Sequence, residues 1–162
     1  MRMLMFPALL ALCLAPMDNG VASEQVFSPD KGLDVTQSFE AQRKLLVQTL
    51  NDGETYSEIS PADLQTVNTS LARMSQLLDG VQDVAQLRGA ARVELFNEQE
   101  QINTLLTRAH DDSRMICRRE KPTGSNRPTN TCMTVAQRRR ARNGAQDTVR
   151  YHPRAQERAE TR

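Results

Sequence analysis

Three groups of side chains in this 162-residue chain have the types that chemistry uses. His110, Asp111 and Asp112 set an imidazole beside two carboxylates, the combination needed for acid–base work or a metal ion. Successive side chains on a helix point about 100° apart, so these three do not converge without help from another element. The second group is polar: Glu94, Glu98 and Gln101 recur at steps of four and three, with Asn97 four residues before Gln101. Carboxylates so spaced can hold a divalent cation. A polar network of Asn97, Gln99 and Asn103 against helix one or two is the better expectation, and a simple solvated face better still. The third group is cationic. Pro122-Thr-Gly-Ser125 is flanked by Arg118, Arg119, Lys121 and Arg127, and backbone N–H groups in such a turn can bind phosphate or sulfate. One glycine does not make the spacing of a phosphate loop, so a plain turn is the simpler reading. Arg138, Arg139, Arg140 and Arg142 follow further on. With three Cys and two His the chain cannot supply a zinc site of the usual Cys/His kind. His110 also has no nucleophile partner in the sequence. The expectation is no catalytic residue, no metal ligand and no cofactor.

The cations gain weight from where they lie. The formal charge of +1 averages two opposite parts. Residues 24–113 hold 7 Lys+Arg against 15 Asp+Glu, and residues 114–162 hold 13 against 4, so −8 and +9. Twelve of the thirteen are Arg, whose planar forks suit bidentate contact with carboxylate or phosphate. An acidic protein surface or a phosphate-bearing envelope surface would complement them. The rival reading is that the basic end is simply solvated or folds back on the acidic helices of its own chain. Nucleic acid is disfavoured by the 4% aromatic content, which leaves no stacking platform, and by export.

Export is read from the first 23 residues. Arg2 supplies a positive start, Met3 to Met17 is an apolar run too short to span a bilayer, and Val21, Ala22 and Ser23 offer small residues for cleavage. Cleavage near Ala22/Ser23 leaves a periplasmic or secreted chain with no transmembrane segment. It also removes Cys13, leaving Cys117 and Cys132 for one structural disulfide in an oxidising compartment. Pro122, Gly124 and Pro128 let the intervening segment reverse direction.

The elements that must position these groups read as helices. Asp34 is the expected N-cap of helix one, whose stripe Val35, Phe39, Leu45, Leu46 and Leu50 is interrupted by Gln42. Ser60 as cap, Pro61 at the first position and Asp63 in the first turn open helix two, with Leu64, Val67, Leu71, Met74, Leu77 and Leu78 on one face. Helix three is expected from about Gly89 to Arg118, about 45 Å long, with its end projecting beyond its partners. Thr134 is a candidate cap for a short basic helix. No alternating β-branched run marks a strand.

The expected organisation is a signal peptide (1–23), a flexible N-terminus (24–33), a helical domain (34–116), a disulfide loop (117–132), a short basic helix (133–143) and a disordered tail (144–162). The fold class is all-α: a three-helix antiparallel arrangement with a long third helix, a disulfide-closed loop and a disordered basic tail.

Three segments, Leu95–Asn103, Asp112–Lys121 and Cys132–Arg139, together resemble a group of small exported proteins of Gram-negative proteobacteria. The common pattern is a Cys, a charged stretch, a Gly-Ser turn, a second Cys, a Thr and a basic run. The resemblance spans roughly residues 60–142. It implies export and a disulfide, and brings no activity with it. The reading is therefore an exported, non-enzymatic interaction or envelope-associated protein using Arg118, Arg119, Lys121, Arg127, Arg138, Arg139, Arg140 and Arg142. The alternative is a periplasmic enzyme or enzyme inhibitor acting through the polar face of helix three.

Overall fold

A computed structural model describes residues 27–160; the expected signal segment lies outside them. The order is α1 (Phe39–Leu50), α2 (Pro61–Leu77), a 3-10 turn (Val84–Gln86), α3 (Gly89–Ser113), β1 (Met115–Glu120), β2 (Thr129–Thr134) and α4 (Val135–Glu160). The all-α expectation is thus incorrect. Four helices accompany a two-stranded antiparallel ribbon, a mixed fold in which the ribbon joins the helical body to α4.

The body forms where local signals and burial agree. The Ser60 hydroxyl accepts the Asp63 N–H at 3.1 Å and Pro61 stands at the first position of α2, as its sequence dictates. Val67, Leu71 and Met74 on α2 meet Leu95, Ile102, Leu106 and Ala109 on α3, with Leu46 and Phe39 of α1 closing the core. Asp63 lies by Arg108 and Arg73 by Glu94 and Glu98, so α2 and α3 run antiparallel. The buried stripe of α3 is Leu95, Ile102, Leu106, Ala109 and Ser113.

Three boundaries depart from expectation. Asp34 does not cap α1; its carboxylate accepts the Thr36 N–H at 2.9 Å and hydroxyl at 2.7 Å, a local turn ahead of a helix that starts at Phe39. Those bonds to Thr36 hold the Asp34 carboxyl below its usual range. Helix α3 stops at Ser113, so it is about 38 Å long instead of 45 Å, and the chain turns into β1 where a projecting helix end was expected. Residues 144–162 were expected to be a disordered tail beyond a short helix at 133–143. Instead α4 runs without a break through Asn143 and Gly144 to Glu160, on Ala-, Gln- and Arg-rich sequence that favours helix without needing a core.

The ribbon pairs Met115 with Thr134, Ile116 with Met133 and Arg119 with Asn130, which sets Cys117 directly opposite Cys132 at a Cα separation of 4.0 Å. Their disulfide is present as expected. It pins the register of a pair that has no amphipathic alternation to pin it. Ser125 N–H bonds to the Pro122 carbonyl at 3.0 Å, with Gly124 at φ +83° in the turn, a conformation that favours glycine. No described helix is long and apolar enough to cross a membrane.

Candidate interaction surface

The site begins at Thr134, where β2 becomes α4. The Gln137 N–H donates to the Thr134 hydroxyl at 3.0 Å, and the Thr134 N–H donates back to the Gln137 side-chain oxygen at 3.1 Å. This reciprocal capping box fixes the first turn of α4. The same Thr134 hydroxyl donates to Glu58 Oε1 at 2.6 Å, so the cap is tied to the loop before α2. The Glu58 N–H in turn donates to the Ser113 hydroxyl at 2.9 Å, at the last residue of α3.

Arg138, Arg139 and Arg140 come next, and helical geometry sends them in three directions. Arg138 reaches Glu120 on the ribbon at 3.7 Å. Arg139 grips Asp112 on α3 with two bonds of 2.7 and 2.8 Å. Arg140 grips Glu58 with two bonds of 2.9 and 3.2 Å. Bidentate forks of this kind are the stronger class of charged hydrogen bond. They pull both carboxyls below their usual range: at Glu58 through Arg140 and then the Thr134 hydroxyl, at Asp112 through Arg139. Asp112 correspondingly raises the Arg139 guanidinium. The glutamate is 11% exposed and Asp112 17%, so the acids are sheltered while the arginines stay half open to water.

The eight cationic candidates therefore divide. Arg139 and Arg140 are anchors within the chain, and Arg138 leans on Glu120. Arg118, Arg119, Lys121 and Arg127 on the ribbon and its turn, and Arg142 on α4, are exposed and form no ion pair among the described residues. Every described position of α4 after Arg140 is exposed, including Val149 at 69% and Tyr151 at 74%. The arm leaves the body after two turns.

The other candidates disperse. His110 stands edge-on to the buried Tyr56 ring at 6.2 Å, Asp111 is exposed, and Asp112 is held by Arg139. Burial, followed by Asp52 and Asp30, pushes the Tyr56 hydroxyl up to about 12, and it has no hydrogen-bond partner among the described residues. Glu94 and Glu98 both lie on Arg73. Among the described residues no three His, Cys, Asp or Glu side chains are grouped to hold a metal ion.

Gln99 and Asn103 do form a polar network, although against the lead segment instead of helix one or two. Asn103 accepts the Leu33 N–H at 2.7 Å and donates to the Leu33 carbonyl at 2.9 Å. Gln42 does the same for Asp34, at 2.9 and 2.6 Å, and Gln99 accepts the Val35 N–H at 2.8 Å. Where a flexible lead was expected, residues 28–32 form a closed turn and Leu33 and Val35 are buried. Gly32 sits at φ +73°, and a β-carbon there would come within 2.7 Å of the Asn103 oxygen that holds Leu33. The residues that sequence reasoning missed are Gln42, Glu58 and Ser113. Gln42 carried a usable signal: a lone amide in the middle of an apolar stripe. Glu58 and Ser113 carried none, because their partners are remote in sequence.

No family model matches the chain, and neither does any curated protein or solved structure.

Proposed function

We propose that this protein is an exported, non-catalytic interaction module. It presents the ribbon and α4 as an arginine-rich surface to an acidic protein or to a phosphate-bearing surface of the cell envelope. The observation that carries this reading is the division of labour among the basic residues. Arg139 and Arg140 fasten the arm, and Arg118, Arg119, Lys121, Arg127 and Arg142 are exposed and form no ion pair among the described residues. Exposed guanidinium groups suit such a surface, because their planar fork loses less freedom per hydrogen bond to an anion than a lysine does. Export is supported by Arg2, the apolar run to Met17 and the small residues at 21–23, and a Cys117–Cys132 bridge fits an oxidising compartment. The enzyme or inhibitor alternative draws little support, because Gln99 and Asn103 are occupied by backbone and Glu94 and Glu98 by Arg73.

The test replaces Arg118, Arg119, Lys121 and Arg127 together by Gln, leaving the anchors intact. Binding of the mature chain to its own envelope fraction in low salt is expected to be lost in the variant. Equal binding by the variant and the parent would sink the reading.

A further inference from the structure

We infer that the free arm of α4 docks on a second copy of the chain, in an acidic groove at the far end of the helical body. The inference rests on the arginine-rich surface proposed above and names its partner. The groove lies between the start of α1 and the end of α2 and has a volume of about 580 Å³. Glu40, Asp79 and Asp83 line it, and no Lys or Arg among the described residues does. Asp79 makes no ion pair among the described residues, Asp83 gives one oxygen to the Ala85 N–H, and Glu40 has the exposed Arg43 at 3.3 Å. Phe39 and Leu78 supply apolar wall, and the Ser75 hydroxyl oxygen is buried there without a hydrogen-bond partner among the described residues. Carboxylates at the rim, an apolar wall and an unused acceptor suit a side chain with an apolar stem and a cationic fork.

The arm has the complementary make-up. Arg142 and Arg150 form no ion pair among the described residues, and Val149 and Tyr151 stand exposed beside them. The chain already uses this chemistry on itself, since Arg139 and Arg140 take carboxylates of the same acidic body. Distance decides between a contact within the chain and one between chains. The arm is fastened at Glu58, beside the start of α2, whereas the groove lies at the end of α2, about 26 Å away along its 17 residues. The described part of α4 beyond Arg140 is exposed throughout, so it does not lie back along its own body. The base of the arm and the groove sit at opposite ends of α2, and the roughly 15 Å of helix from Arg140 to Arg150 does not span that distance. A contact between them is head-to-tail, so it adds copies beyond two or closes a ring.

Light scattering on the mature chain tests this. In dilute salt the average mass is expected to rise with protein concentration. It should return to that of one chain at about 1 M salt, where screening acts over about 3 Å. Glu40→Lys with Asp79→Lys should abolish association, as should Arg142→Glu with Arg150→Glu. A chain carrying all four changes should associate again, which excludes misfolding as the cause of the loss. A single-chain mass at every concentration overturns the inference, as does association indifferent to either pair of changes. Neither result touches the envelope reading, which stands or falls on the ribbon variant alone.

Discussion

The segment Leu33–Val35 and the second turn of α4 are both strapped to the helical body, the first by neutral amides and the second by ionised forks. Gln42, Gln99 and Asn103 satisfy five backbone groups of the lead segment between them, and Leu33 and Val35 are 2% exposed. None of the three amides titrates. The α4 strap uses Glu58 and Asp112 at the edge of the body, with arginines that remain 49% and 62% exposed. Water and salt reach it. One strap completes the core, and the other is a joint whose strength depends on conditions.

Breaking the amide strap should have the largest effect. Gln42→Leu leaves the Asp34 N–H and carbonyl without partners beside a fully buried side chain, and should cost about 3 kcal/mol in urea unfolding. That loss should be the same in low and high salt. Glu58→Gln removes a charge that accepts from Arg140 and Thr134, and should cost about 2 kcal/mol. Hydrogen exchange should report the loss in the ribbon and first turns of α4 while α2 and α3 keep their protection.

Acid sharpens the same contrast. The folded-state values of Glu58 and Asp112 are depressed, so their contribution is complete above the ordinary values of 4.5 and 3.8 and is lost as pH falls through the lowered ones. Exchange at α4 should therefore rise below about pH 4, before exchange at Leu33–Val35. Thr134→Val keeps the shape but removes the capping hydroxyl, and should cost about 1 kcal/mol, read by helicity and thermal unfolding. Salt alone should act least. Half-exposed ion pairs respond to screening by less than about 1 kcal/mol, read as a modest rise of exchange at α4 only.

What the sequence disclosed follows the same division. Ser60-Pro61-Asp63 opens α2 as written, because cap chemistry is local. The Cys117–Cys132 bridge was legible from turn residues and the count of cysteines. The ribbon was not, since Arg118, Arg119 and Asn130 give it no alternation; cross-strand pairing and the disulfide make these residues strands. Gln42 looked like a flaw in a stripe, and its 1% exposure makes it the best-buried polar side chain of α1. The arginine run read either as a contact surface or as a segment folded back on the acidic helices. Three successive helical directions turned it into a fastening, and only partners remote in sequence, Glu58 and Asp112, reveal that.

The disulfide has a mechanical consequence. Tension applied along α4 enters the ribbon at Thr134 and meets Cys132 two residues on. From there the covalent route to α3 runs through two sulfur atoms to Cys117, four residues from Ser113. The tip between them, residues 118–131, is bypassed and carries no load. A partner hauling on the arm would stretch the joint at Glu58 and Asp112 and leave the shape of the ribbon's cationic tip undisturbed.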